Sequence, residues 1–213
     1  NDEVFQYLMR YCINTFQQSN IMGMDKVFVH VADTYYLSGK VDWLDEETMK
    51  KLGEQVAKLR FNLVGNVAQD LKMETILGPF ARLSEIKAKY TLVMFYEPDC
   101  GHCKKVVPKI WEIYNQFTRN EFEVMAVYIQ TDKTEWMNYI EEKQFNWINV
   151  WDPYHLTNFR FFYNVYSTPT LYLLDKDKKI IAKRIGPETV ENILNLELGK
   201  KKFSEIDFTA EEE

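Results

Sequence analysis

The chain has 213 residues, 46% hydrophobic and 27% charged, with a formal net charge of -6, a composition that supports one full core and a small second one. The acidic residues are spread along the chain and no basic face is offered to phosphates, which argues against a nucleic-acid partner; no apolar run approaches the roughly 20 residues of a membrane span. Three cysteines, two of them spaced as C-x-x-C, are too few for a disulfide scaffold or a four-cysteine zinc site and favour redox chemistry. The chain starts at Asn1 with neither methionine nor signal peptide, which predicts a trimmed or mature fragment, with an upstream signal peptide or lipid anchor left open.

Val4, Phe5, Leu8, Cys12, Ile13 and Phe16 recur at three- and four-residue steps and predict a helix over residues 4–16. Over residues 25–37, Val27, Val29 and Val31 alternate like a strand while Phe28, Val31 and Tyr35 step like a helix; the helix is the reading adopted. Asp45 caps a third helix, with Glu46 and Glu47 in its electropositive first turn, Met49, Leu52, Val56 and Leu59 on its apolar stripe, and Lys58 and Arg60 at its end. Residues 1–61 are thus expected to be a helical region, short for an independent core, that packs on the remainder of the chain or belongs to a larger domain.

A polar, turn-containing segment then runs through Gly78 and Pro79 to a helix-like stretch at 83–86, and residues 90–96 read as a buried strand. The C-x-x-C pair opens a helix reaching about residue 119, followed by a buried strand at 122–129, a helix near 134–143 and a short strand at 148–151, a βαβ order that predicts a parallel pair. Residues 156–163 read as a short helix, and 170–174 and 180–185 as a hairpin around Asp175-Lys176-Asp177-Lys178. Pro187 suits the first turn of a last helix whose apolar face is Val190, Ile193, Leu194 and Leu198. An acidic tail is expected at 204–213.

The chemistry gathers at Cys100-Gly101-His102-Cys103. A cysteine at a strand-to-helix junction places its sulfur at a helix N-terminus, where unpaired N–H groups and the helix dipole favour a thiolate. His102, when protonated, adds positive charge, and each unit of pKa lowering corresponds to about 1.4 kcal/mol. Cys103 lies one helical turn deeper, within disulfide reach, so Cys100 would attack a substrate disulfide and Cys103 would resolve the mixed disulfide. The competing readings are half of a zinc site or two structural cysteines; a preceding buried strand, a following helix and the lack of a second ligand set at metal spacing favour redox.

Phe95-Tyr96-Glu97-Pro98-Asp99-Cys100-Gly101-His102-Cys103-Lys104, Pro108 and Thr168-Pro169-Thr170, in that order, resemble the thioredoxin superfamily. More narrowly, residues 63–71, Gly78 before Leu83, the helical stretch after Ile129 and residues 168–177 are similar to the extracytoplasmic bacterial TlpA/ResA-like proteins, grouped with the AhpC/TSA-like thioredoxin domains. The resemblance covers about residues 62–200. It implies an α/β thioredoxin fold, a mixed central sheet flanked by helices with a TlpA-like insert, occupying 62–203 behind the helical region 1–61. It also implies a thiol-disulfide oxidoreductase, read as a reductant, that needs no metal or organic cofactor, meets protein thiol or disulfide substrates and a redox partner, and works outside the cytoplasm. Pro169 would be cis and, with Thr168, would hold the backbone edge that pairs with substrate.

The chain departs from the family where proton transfer is concerned. Met94 stands where thioredoxin has a buried aspartate, and Val106 where the ResA-like branch has a glutamate after the second cysteine. Glu97 is the nearest substitute by sequence, against the plainer reading of a solvated loop charge. Asp99 replaces the usual tryptophan before the first cysteine, and its charge should oppose His102 and the helix dipole. The direction of the redox reaction stays open, since the Gly-His pair is similar to that of protein disulfide isomerase.

Cys12 reads as a small core residue, and His30 and His155 have no partner at ligand spacing. Trp136, Trp147, Trp151, Phe159, Phe161 and Phe162 read as core rather than a binding surface. A peroxiredoxin is disfavoured because Leu92 and Glu97 stand where that motif needs proline and threonine. The alternative from another class is a redox-sensing or partner-binding module in which the helical region engages a partner and the thioredoxin domain does not turn over.

Overall fold

The computed structural model describes residues 2–201; the acidic tail expected at 204–213 lies outside the described residues. Three helices come first: α1 (Asp2–Gln17), α2 (Met24–Val31) and α3 (Glu46–Arg60). The ambiguous segment is helical, but its end winds wider over Ala32–Tyr36, where the Leu37 N–H reaches the Ala32 carbonyl at 2.8 Å. Asp45 caps α3 as its side chain implies, accepting from the Thr48 N–H at 2.8 Å. Ile13, Phe28, Val31, Tyr36, Val56 and Leu59 form the buried centre of this helical layer.

The rest is a seven-stranded sheet in the order β2-β1-β5-β4-β3-β6-β7. Its strands are β1 (Lys72–Thr75), β2 (Phe80–Arg82), β3 (Tyr90–Tyr96), β4 (Phe122–Tyr128), β5 (Ile148–Trp151), β6 (Thr170–Leu174) and β7 (Ile180–Lys183). β3, β4 and β5 run parallel, and the other pairings are antiparallel. Four helices accompany them: α4 (Gly101–Tyr114), α5 (Lys133–Lys143), α6 (Phe159–Phe162) and α7 (Pro187–Glu197). Because successive residues of a strand face opposite ways, Leu92, Met94 and Tyr96 of β3 meet Val107, Ile110 and Leu194 on one side, while Val93 and Phe95 meet Leu71, Phe159 and Tyr163 on the other.

The segment read as polar and turn-containing is the hairpin of β1 and β2, short strands at one end of the sheet that are held by pairing with each other and, through β1, with β5 rather than by an apolar run. α4 stops at Tyr114, short of residue 119, because the Asn115 side chain donates to the Trp111 carbonyl at 2.9 Å and Glu121 folds back on the Thr118 N–H at 2.9 Å. α6 is a single turn, bracketed by Asn158 and Asn164 in left-handed conformation. Trp136, Trp147, Trp151 and Phe159 are buried, as core residues should be.

The helical layer is fastened to the sheet at two places. Phe61 packs its ring on Phe161 and Phe162, at 5.6 and 5.0 Å between centroids. Beside it, buried Lys183 of β7 donates to Asn62 Oδ1 at 2.9 Å and ion-pairs with Asp25 of α2. No helix among the described residues is long and apolar enough to cross a membrane.

Candidate active site

β3 delivers the chain to the site and α4 carries it away. Cys100 is the N-cap of α4, with extended backbone, so its sulfur faces the free N–H groups of the first turn and accepts from the Cys103 N–H at 3.4 Å. It is half-buried, and its thiol donates to the Thr168 carbonyl at 3.2 Å. Cys103 has no exposed surface and sits in the layer of Met94, Tyr96, Val107 and Trp136, with Tyr139 packed against it. Both are free thiols.

The two sulfurs are therefore pushed apart in acidity. Burial alone would lift Cys100, but the polar groups around it, the Thr168 side chain, the Cys103 N–H and thiol and the His102 N–H, outweigh it, and its pKa falls below the ordinary thiol value. For Cys103 burial wins and pushes the thiol up to about 12, with the Cys100 sulfur adding to the rise and the Glu97 N–H and Thr168 side chain opposing it. Burial likewise pushes Tyr139 up to about 12, helped by Cys103.

Every sequence-predicted site residue lies around this junction. The Thr168-Pro169 bond is cis and leads directly into β6, which pairs with β3. The Thr168 hydroxyl donates to Glu97 Oε1 at 2.6 Å, so Glu97 is tied into the site and is not a free loop charge. His102 is exposed, and its backbone N–H, in the first turn of α4, adds to the groups that lower the Cys100 pKa. Asp99 is exposed and pairs with Lys104 Nζ at 3.4 Å. Cys12 lies in the helical layer, part-buried against its core, and His30 and His155 are exposed.

Two neighbours escaped the sequence reading. Gln130 donates to Glu97 Oε2 at 2.5 Å, and Tyr139 packs on the buried thiol's layer. The signal for Gln130 was positional: Tyr96 and Tyr128 are in register on parallel β3 and β4, so the residues just beyond them share the crevice at the strands' carboxyl ends. Among the described residues no group of three or more His, Cys, Asp or Glu side chains is arranged as a metal site.

Comparison with known proteins agrees with this geometry. The thiol-disulfide oxidoreductase ResA of Bacillus cereus is 26% identical over 132 residues, covering 61% of this chain and 74% of that protein. A solved domain of a possible thiol-disulfide isomerase from Cytophaga hutchinsonii superimposes with a TM-score of 0.59 at 36% identity, over 65% of this chain and 97% of the other. A thioredoxin-like protein from Bacteroides caccae matches 91% of this chain and 70% of its own, with a TM-score of 0.73 at 21% identity, and shows the fold with the helical layer included. The AhpC/TSA family model matches residues 64–183, more than half of the sequence, and the chain belongs to that family.

Proposed function

We propose that this protein is a thiol-disulfide oxidoreductase that works as a reductant of protein disulfides, with Cys100 as the attacking and Cys103 as the resolving thiol. The observation that carries the reading is the asymmetry of the pair: one sulfur half-exposed, hydrogen-bonded and acidified, the other enclosed and held as a thiol. The Cys100 thiolate attacks a substrate sulfur, a mixed disulfide forms and the first substrate thiolate leaves. Cys103 then attacks Cys100, the intramolecular disulfide closes and the second substrate thiolate leaves; a separate dithiol partner restores the pair. Thr168 and Pro169 offer the substrate peptide a backbone edge beside Cys100, and His102, Glu97 and Asp99 tune the pair from its rim.

The reading includes a helical region at 1–61 and a thioredoxin-like domain at 62–203, supported by the end of α3 at Arg60 and the onset of the sheet after it. Work outside the cytoplasm is part of the reading, supported by the likeness to TlpA/ResA-like proteins.

One observation favours the second reading, a partner-binding module: α1 exposes Val4, Tyr7, Leu8 and Tyr11. Equilibration of the full chain in graded glutathione buffers, read by thiol alkylation and mass, separates the two. A Cys100–Cys103 couple near about -270 mV supports a reductant and one near about -120 to -180 mV an oxidant or isomerase; no intramolecular disulfide at any poise supports the binding module.

A further inference from the structure

The helical layer contains a cavity of about 370 Å³ between α1, α3 and the segment that joins α2 to α3, at the small end of the roughly 300–1,000 Å³ that small-molecule sites span. Ile13, Leu44 and Leu52 supply apolar walls. Tyr36 ends the wide turn Ala32–Tyr36, a break in helical register of the kind often found at functional sites, and it lines the cavity although only 2% exposed. Trp43 lines it too, its ring set edge-on against Phe5 of α1 at 5.9 Å between centroids.

Two donors meet here without a partner. Tyr36 Oη and Trp43 Nε1 are both buried and neither makes a hydrogen bond, so each carries its desolvation uncompensated. Burial raises the Tyr36 pKa, with Arg10 opposing the rise and Cys12 adding to it, which leaves the phenol neutral and able to donate. The Arg10 guanidinium lies 5.8 Å from the centre of the Trp43 ring, and among the described residues no carboxylate pairs with it. The acids that serve the rim are committed: Asp45 to the N–H and hydroxyl of Thr48 at 2.8 and 2.7 Å, Glu47 to Lys51 at 2.6 Å. None of the described residues lining the cavity is acidic. An indole N–H and a guanidinium can only donate, so the group that suits all three is an acceptor, and a negative one.

We propose that this cavity binds a small monocarboxylate with an apolar body of one ring or a short branched chain. The carboxylate accepts from Tyr36, Trp43 and Arg10, and the body lies against Ile13, Leu44 and Leu52. Both buried donors are covered in this conformation, and the part-buried Trp43 ring is the wall that shifts to let the acid reach them. The Gln17 amide donates to Gln55 Oε1 at 2.8 Å, which ties α1 to α3 across the cavity and keeps its walls together. The site stands apart from Cys100 and Cys103 and does not rest on the exchange cycle proposed above.

The test uses the full chain and follows, by proton–nitrogen NMR, the indole N–H resonance of Trp43, assigned by its loss in Trp43→Phe. The probes are phenylpropionate, cyclohexylacetate and isocaproate, each beside its primary amide. At least one acid should shift that resonance saturably with a Kd below about 1 mM, and its amide should bind at least about 10-fold more weakly. Tyr36→Phe and Arg10→Gln should each weaken the acid by about 10-fold. Tyr36→Phe should also keep or raise the urea midpoint of the free chain, because it removes a donor that has no partner, and this shows that the layer still folds. Failure of every acid to saturate below about 1 mM overturns the proposal, as does an amide that binds as tightly as its acid or wild-type affinity in both variants. A lower urea midpoint in Tyr36→Phe overturns it too, since the phenol would then already be satisfied by water.

Discussion

Two places on the same sheet bury a titratable group, and they handle it in opposite ways. At the active site Cys103 is enclosed by Met94, Tyr96, Val107 and Trp136 and stays neutral. At the join with the helical layer Lys183 is also buried, and burial pulls its pKa down, but Asp25 and Asn62 hold it against that pull. Depth alone therefore does not decide whether a buried group is charged. The partners waiting for it do, and here an apolar layer stores a proton that chemistry later uses, while a polar one fixes two units of the fold together.

The largest expected effect breaks the comparison at the thiol. With Cys103 up to about 12 and Cys100 below the ordinary value, iodoacetamide should modify Cys100 in Cys103→Ser more than about a thousandfold faster at neutral pH than it modifies Cys103 in Cys100→Ser. Mass-resolved labelling would show it; comparable rates would mean that the two sulfurs share one environment.

At the join the prediction is about stability. Asp25→Ala leaves Lys183 buried without its counter-charge and should cost about 3–5 kcal/mol in urea unfolding, whereas replacing both, Asp25→Leu with Lys183→Met, should be neutral or stabilising by about 1–4 kcal/mol. A mild effect of the single change would show that water reaches Lys183.

The smallest effect sharpens the thiol side. A group whose pKa is raised on folding binds more protons in the native state, so its contribution is complete below the unfolded value and is lost as pH rises towards the folded one. For the reduced protein, the stability of wild type relative to Cys103→Ser should fall between about pH 9 and 12 by up to about 1.4 kcal/mol per pH unit. A flat difference would mean that Cys103 ionises as it does in the unfolded chain.

Much of the active-site half was legible in the sequence because it rests on local signals. Seven consecutive residues of β3, all but Tyr90 fully enclosed, a cysteine pair at helical spacing and Pro169 before an apolar strand each point to their own structure. Asp45 and Pro187 marked their helix starts for the same local reason. What stayed hidden depends on register between distant segments. The β1–β2 hairpin exists through its pairing with β5, Gln130 meets Glu97 through the alignment of β3 and β4, and Lys183 of the last strand reaches back to Asp25 of the second helix. Glu97 shows both limits: its place beside the cysteines could be read, but its bond to Thr168 joins residues 71 apart.

The enclosure of Cys103 also has a temporal meaning. Under the proposed cycle an incoming partner can touch only Cys100, so the first collision is chosen by the partner and the second event belongs wholly to the protein. The lifetime of the covalent encounter is then set by a nucleophile the client never touches, and the client's say in it narrows to how readily its own sulfur leaves.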